Sequence, residues 1–131
     1  MAKYRNVQSD IEGVFATEMW TENNIVAYPS NYQGGDFADE FVKIEILPGR
    51  PLTTYTRPGV QGQIIIQIYT RAGEGITRSA AIADILDQVL QVQSFSRGTQ
   101  TGTSSIAFLG IDSQDNSLFR ADYSVSFRNY N

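Results

Sequence analysis

The sequence predicts an α+β fold, a mostly antiparallel sheet of about five strands packed against two helices in the order α-β-β-β-α-β-β. Two stretches with apolar residues at helical spacing and a strongly apolar central stretch support this prediction. The third observation is the closing stretch Leu118–Asn131. From Phe119 to Phe127 every second side chain is apolar, and the positions between are polar or charged. Alternation of this length indicates a strand with one buried face.

The first helix is predicted from about Tyr4 to Trp20. Its apolar residues lie three or four positions apart, whereas Asp10, Glu12 and Glu18 fall elsewhere. Gly13 lies inside this stretch and costs up to ~1 kcal/mol relative to alanine. Either close packing requires a small residue there, or the helix tolerates the cost. The apolar positions are Val7, Ile11, Val14, Phe15 and Met19.

Three strands are predicted to follow. Asn24–Tyr28 is a short candidate that Pro29 would end, and Asp39–Pro51 contains a strand expected to stop at Pro48. The stretch Pro51–Gly59 then reads as a long connection with turn residues at both ends. Ile64–Tyr69 is the most apolar strand of the chain, so we place it at the centre of the sheet.

The second helix carries a clear apolar stripe and is expected to end near Gln93. The polar segment Ser94–Thr103 is predicted to be a mobile loop. Ser105–Asp112 is the fourth strand, and the short connection Asp112–Asn116 predicts a hairpin with the last one. The residues of the stripe are Ile82, Ile85, Leu86, Val89 and Leu90.

Composition narrows the functional classes. The 131 residues predict a single domain spanning 1–131, with no cysteine or histidine to support thiolate, imidazole or Ser-His chemistry. The net charge of −4 and the absence of a Lys/Arg run argue against nucleic-acid binding. No stretch approaches the ~20 apolar residues of a membrane helix. We therefore expect a protein that is not an enzyme, has no cofactor and does not enter a membrane.

Three candidate sites in the sequence have simpler interpretations. The glycines of Arg71–Ser79 precede a helix, as in phosphate sites, but the segment lacks the nucleotide-loop pattern and is expected to be a turn. Asp112 and Asp115 offer oxygen ligands, although their spacing does not fit a calcium loop. Asp84 and Asp87 are expected to be solvated charges on the outer face of the helix rather than a catalytic pair.

The order of elements resembles that of the lambda-type tail terminator family of long-tailed bacteriophages. The resemblance covers nearly the whole chain: the opening helix, the segment DEFVKIEILPG, the central strand and helix that begin with GQIIIQIYTRAGEG, and the closing hairpin GIDSQDNSLFRADYSVSFRNYN. It implies a virion protein at the head-proximal end of the tail, assembled in the host cytoplasm. Such proteins form a homo-hexameric ring on the tail tube, stop tube polymerisation and receive the head-completion or connector protein, while DNA passes through the lumen.

Within that resemblance, several residues are expected to make contacts. Arg50, Tyr55 and Arg57 would contact neighbouring copies or tube subunits from the long connection, and Arg97 would do so from the polar loop, which would become ordered on assembly. Asp112 and Asp115 are candidates for charge in the lumen. Two alternatives stay open: a neighbouring connector protein, or a small ligand-binding or enzymatic α+β domain.

Overall fold

One five-stranded sheet organises the protein. The computed structural model describes residues 3–29, 40–53, 58–73, 76–112 and 117–129, without the side chains of Lys3, Arg50–Thr53 and Pro58. The elements in chain order are α1 Lys3–Val14, α2 Glu18–Thr21, β1 Val26–Pro29, β2 Phe41–Thr53, β3 Pro58–Arg71, α3 Ile76–Leu90, β4 Thr99–Ile111 and β5 Leu118–Asn129. The predicted α+β class is confirmed, with a third short helix added.

The strands lie in the order β1-β2-β3-β5-β4. All neighbours are antiparallel except β1 and β2, which are parallel. The most apolar strand, β3, lies at the centre as predicted, and Ile66 sits between Ile44 of β2 and Tyr123 of β5. The predicted hairpin of β4 and β5 is also confirmed, since these strands pair antiparallel over most of their length.

The helices cover one face of the sheet and form the core with it. Ile64, Ile66 and Ile68 of β3 are fully buried beneath α3, whose residues Ile82 and Leu86 are fully buried as well. Burial of a large aliphatic side chain contributes about 1.5–3 kcal/mol, so this central layer dominates the stability of the fold. The alternation in β5 follows from the same layer, because one face meets the helices and the other does not.

The predicted helix from Tyr4 to Trp20 is wrong in one respect, because it divides into α1 and α2. The chain leaves α1 after Val14 through three tight turns, and the Thr17 hydroxyl donates to the Val14 carbonyl at 2.6 Å. This bond takes an acceptor that a continuing helix would use. The change of direction buries Trp20, whose indole Nε1 donates to the Ile25 carbonyl at 3.1 Å.

The predicted long connection Pro51–Gly59 is also wrong, because β2 continues to Thr53 and β3 begins at Pro58. The strand passes its prolines by a shift of register between Pro48 and Pro51. Gly62 makes this passage possible, since a Cβ atom there would lie 2.1 Å from the Leu47 carbonyl oxygen. β2 therefore contains a bulge at the position where the sequence predicted the end of the strand.

The predicted mobile loop Ser94–Thr103 is a tight turn followed by strand. The Phe95 amide donates to the Thr99 carbonyl at 2.8 Å, Gly98 adopts a φ of 97°, and β4 starts at Thr99. The polar composition misled the prediction, because Thr99, Thr101 and Thr103 of this segment lie on β4, an edge strand of the sheet. The hypothesis that this segment becomes ordered only on assembly therefore loses its basis.

Candidate assembly surface

The two ends of the sheet carry different candidate residues. One end is here called the hairpin end, because β2 ends and β3 begins there; the connection between β4 and β5 lies at the other end. Four adjacent strands contribute a row of neighbouring residues to the hairpin end: Pro51, Val60, Asn129 and Thr99. At the other, here called the opposite end, Phe41, Tyr69, Arg120 and Gly110 form the corresponding row. Those predicted contact residues that lie in the described part of the chain can be placed relative to these rows.

The structure brings two of the predicted contact residues to the hairpin end. Arg50 lies in β2 beside Pro51, although its side chain is outside the described part, and Arg97 lies in the turn that leads into β4. Tyr55 and Arg57 fall between β2 and β3, outside the described residues. The sequence alone gave no reason to expect Arg50 and Arg97 at one end of the sheet.

Four hydrogen bonds fix the turn that presents Arg97. The buried Asp10 carboxylate of α1 accepts from the backbone amides of Arg97, at 3.1 Å, and Thr99, at 3.2 Å. Asn129, the last residue of β5, donates from Nδ2 to the Arg97 carbonyl at 3.2 Å and to the Thr99 hydroxyl at 2.9 Å. The Arg97 residue itself is exposed. A fixed backbone therefore carries a cation at the surface.

Sequence reasoning missed the buried Asp10, which was placed away from the apolar face of the first helix. The signal was available, because Asp10 is three positions after Val7 and four before Val14, and so shares their face. It also missed the exposed Arg128, whose Nε donates to Gln100 Oε1 at 3.0 Å. Arg128 adds a second described cation to the hairpin end.

Asp112 lies at the opposite end, just after β4, where its amide donates to the Leu118 carbonyl at 2.8 Å. Arg120 forms an ion pair with Asp122 there, donating from Nε and Nη2 to its two carboxylate oxygens at 3.1 and 3.3 Å. Burial raises the pKa of Tyr69, Arg120 opposes that effect, and Asp112 adds to it. Asp112 therefore contributes to one electrostatic cluster, whereas Asp115 is outside the described residues.

The expectation that Asp87 is simply solvated is wrong. Its Oδ1 accepts from the buried Tyr123 hydroxyl at 2.7 Å and from the Ser104 hydroxyl at 2.5 Å. Burial, followed by the hydrogen bond to Asp87, raises the pKa of Tyr123. Asp84, one turn away, is exposed as predicted. Asp87 therefore joins α3 to both β4 and β5.

The second half of β4 exposes apolar side chains, which sequence reasoning treated only as an ordinary strand. Phe108, Leu109 and Ile111 are 40%, 54% and 57% exposed, although β4 is an edge of the sheet. The signal lay in the segment Ser105–Ile111, which is rich in apolar residues and has no charge to protect an edge. This surface is therefore the most apolar exposed strand among the described residues.

The described part of the chain contains neither a candidate metal centre nor a helix that could span a membrane. It contains no group of three or more acidic, histidine or cysteine residues placed to hold a metal ion. None of its helices is long and apolar enough to cross a membrane.

Comparison with known proteins identifies the fold. No protein-family model matches the chain, and no curated protein matches it by sequence. A component of the virion of a native gene transfer agent particle has a similar structure, with a TM-score of 0.70, 15% identity, and coverage of 99% of this chain and 98% of that one. A second solved structure, whose description names no function, gives a TM-score of 0.66 at 12% identity, covering 98% and 96%. The whole chain thus shares its fold with a protein found in a virion particle.

Proposed function

We propose that this chain is a structural protein of a phage-like virion, and that it forms a ring, most simply a hexamer, that caps the tail tube. The observation that carries the proposal is the structural similarity to a gene transfer agent virion component over 99% of this chain and 98% of that one. The resemblance of the sequence to tail terminators supports the same assignment. One argument rests on the order of elements in the sequence, and the other on the fold that those elements form.

The hairpin end supplies the contacts of the ring or the tube in this proposal. Arg50, Arg97 and Arg128 lie there, and arginine is enriched in protein interfaces. Because Asp10 and Asn129 hold the backbone around Arg97, little conformational freedom is lost when that residue binds. Tyr55 and Arg57, between the same two strands, would extend this surface.

Capping is the proposed mechanism of termination. The ring covers the growing face of the tube with one surface and offers no further edge to which a tube subunit can bind. Its other surface receives the head-completion or connector protein. Six copies of a chain with net charge −4 carry −24, so an acidic lumen lets DNA pass without holding its phosphates. Asp112 and Asp115 are the proposed lumen charges.

Tail length in assembled particles tests this function. Deleting the gene should give tails of irregular or excessive length in electron micrographs, and the wild-type gene should restore a uniform length. The variant Arg97→Glu should fail to restore it, whereas Arg5→Glu, a matched reversal on the exposed surface of α1, should restore it. Uniform tails of normal length in the deletion strain would refute the capping function.

A further inference from the structure

The edge strand β4 is covered over its first half only. The segment before it returns along that half: the Thr101 amide donates to the Gln93 carbonyl at 2.9 Å, and the Val92 amide to the Gly102 carbonyl at 3.0 Å. The Ser104 amide is bonded to the Gln91 side chain at 3.0 Å. Among the described residues, nothing pairs with the outer edge of Ser105–Ile111. This bare edge is roughly 23 Å long at about 3.3 Å per residue.

A groove of about 340 Å³ runs beside the bare edge, between β4 and α3. Ala80, Ala83 and Asp84 of α3 form one wall, and Ile106 and Phe108 of β4 form the other. The alanines leave space next to two partly exposed apolar side chains. A strand added to β4 would therefore direct every second side chain into this groove.

The contacts of Asp87 show which residues of α3 lie opposite which residues of β4 across the groove. The Ser104 hydroxyl donates to Asp87 and the Ser104 amide donates to the Gln91 side chain, so the end of α3 lies beside the start of the groove. One helical turn back, about 5.4 Å, brings Asp84 beside Ser105–Ile106, because a strand advances about 3.3 Å per residue. A second turn brings Ala80 to Phe108. Asp84 is exposed at the middle of the groove wall.

The negative charge of the groove indicates whether a second copy of this chain or a segment of another protein binds there. The described lining contains Asp84 and Asp87 and no lysine or arginine. If two copies paired through β4, the twofold axis of an antiparallel pair would place both α3 helices on one side of the joined sheet. Four carboxylates would then line a single cleft, which is unfavourable. An extended segment with a positive charge matches the groove instead.

We propose that the bare edge Ser105–Ile111 and the groove beside α3 bind an extended peptide segment of another protein as an added strand. The segment carries apolar side chains at alternate positions and an arginine or lysine at the position that faces Asp84. Backbone hydrogen bonds to β4 supply a general part of the affinity, and the groove selects the side chains. This site lies away from the hairpin end and is independent of the capping function.

A capped nonapeptide serves as the probe. Threonine occupies its odd positions, and its even positions carry valine, arginine, valine and valine. Its control has glutamate in place of arginine. Fluorescence anisotropy with the isolated full-length protein should show saturable binding of the arginine peptide and about fivefold weaker binding of the glutamate peptide, as expected for one exposed charge pair.

Three changes separate the parts of the proposed site. Asp84→Asn should reduce the preference for the arginine peptide to less than about twofold. Phe108→Lys should abolish binding, because it places a cation in the groove, whereas Val92→Lys, a change at a more exposed position outside the groove, should not. In an extended peptide, the amides of the odd positions point to one edge and those of the even positions to the other. N-methylation of all odd or all even positions therefore removes the hydrogen-bond donors of one edge of the peptide.

Of these two methylated peptides, the one that loses the donors facing β4 should not bind, and the other should keep its binding.

The outcomes that overturn the proposal are distinct. The site is not a strand-binding site if both N-methylated peptides bind as well as the parent, or if the arginine peptide does not bind. The site does not select its ligand by charge if the wild-type protein binds the arginine and glutamate peptides with equal affinity. If the protein dimerises and Phe108→Lys alone makes it monomeric, the occupant is a second copy. None of these results depends on tail capping, which the length assay tests separately.

Discussion

Asp10 is the residue on which the geometry of the hairpin end most depends, and its replacement gives a quantitative test. The side chain is 7% exposed, and its two oxygens accept from the amides of Arg97 and Thr99 at 3.1 and 3.2 Å. A hydrogen bond to a charged group contributes about 1.5–3 kcal/mol, so the two bonds set an upper limit of about 6 kcal/mol. The observed loss will be smaller, because removing the carboxylate also removes its cost of burial.

We therefore expect Asp10→Ala to lower the free energy of unfolding by about 2–3 kcal/mol. Urea denaturation monitored by circular dichroism measures this, with Glu12→Ala on the exposed side of α1 as the matched control. The control should change the stability by less than about 0.5 kcal/mol. If the two variants were equally stable, Asp10 would not hold the turn, and the argument for a fixed Arg97 would fail.

Three further substitutions are expected to change the stability of the protein. Tyr123→Phe removes the hydroxyl that donates to Asp87 at 2.7 Å and should cost about 1–2 kcal/mol in urea denaturation. Because the pKa of Tyr123 is raised in the folded protein, its contribution is fully present below the unfolded pKa of about 10 and is lost as the pH rises above it. Tyr123→Phe should therefore flatten the alkaline fall in stability. Gly62→Ala should cost at least about 2 kcal/mol, since its Cβ would meet the Leu47 carbonyl, whereas Gly13→Ala should stabilise α1 by about 0.5–1 kcal/mol.

The controls for these predictions come from the same structure. Ser105→Ala removes an exposed hydroxyl contact with Ser124, so it should cost less than Tyr123→Phe. An equal cost would mean that the bond from Tyr123 to Asp87 has no special weight. An alkaline stability curve that is identical in wild type and Tyr123→Phe would remove the role of its raised pKa. If Gly62→Ala were as stable as wild type, the close approach of β2 and β3 would be wrong.

Much of the fold was predictable because its strongest signals are periodic. The alternation in β5, the apolar run of β3 and the stripe of α3 each reflect burial against a neighbouring layer, and such burial leaves a regular spacing of apolar residues in the sequence. The closing hairpin could be predicted for a similar reason, since a short connection leaves antiparallel pairing as the simple solution.

The errors occurred where a tertiary contact overrides a local preference. Pro48 and Pro51 suggested the end of a strand, but a bulge opposite Gly62 carries β2 past them. The polar segment before β4 suggested a mobile loop, but Asp10 and Asn129, both distant in sequence, pin its turn. Neither compensation is visible without knowing which residues become neighbours.

The candidate contact residues show the same limit. Arginine at Arg50 and Arg97 suggested contacts by residue type alone, whereas their position at one end of the sheet follows from the register of four strands. The groove beside β4 depends on the packing of α3 against an edge strand. The lack of charge in Ser105–Ile111 was visible in the sequence, but it had no meaning until the strand was known to be an edge.

The mass of the protein in solution, together with negative-stain images of the protein mixed with purified tail tubes, shows directly whether the protein forms a ring and caps a tube. We expect sixfold rings, either free or formed on the tubes, with density that closes one end of each tube. A tube end that is closed by wild-type protein but not by Arg97→Glu would link the cap to the hairpin end. If the protein stays monomeric and leaves both tube ends open, it does not cap tail tubes and the proposed function is wrong.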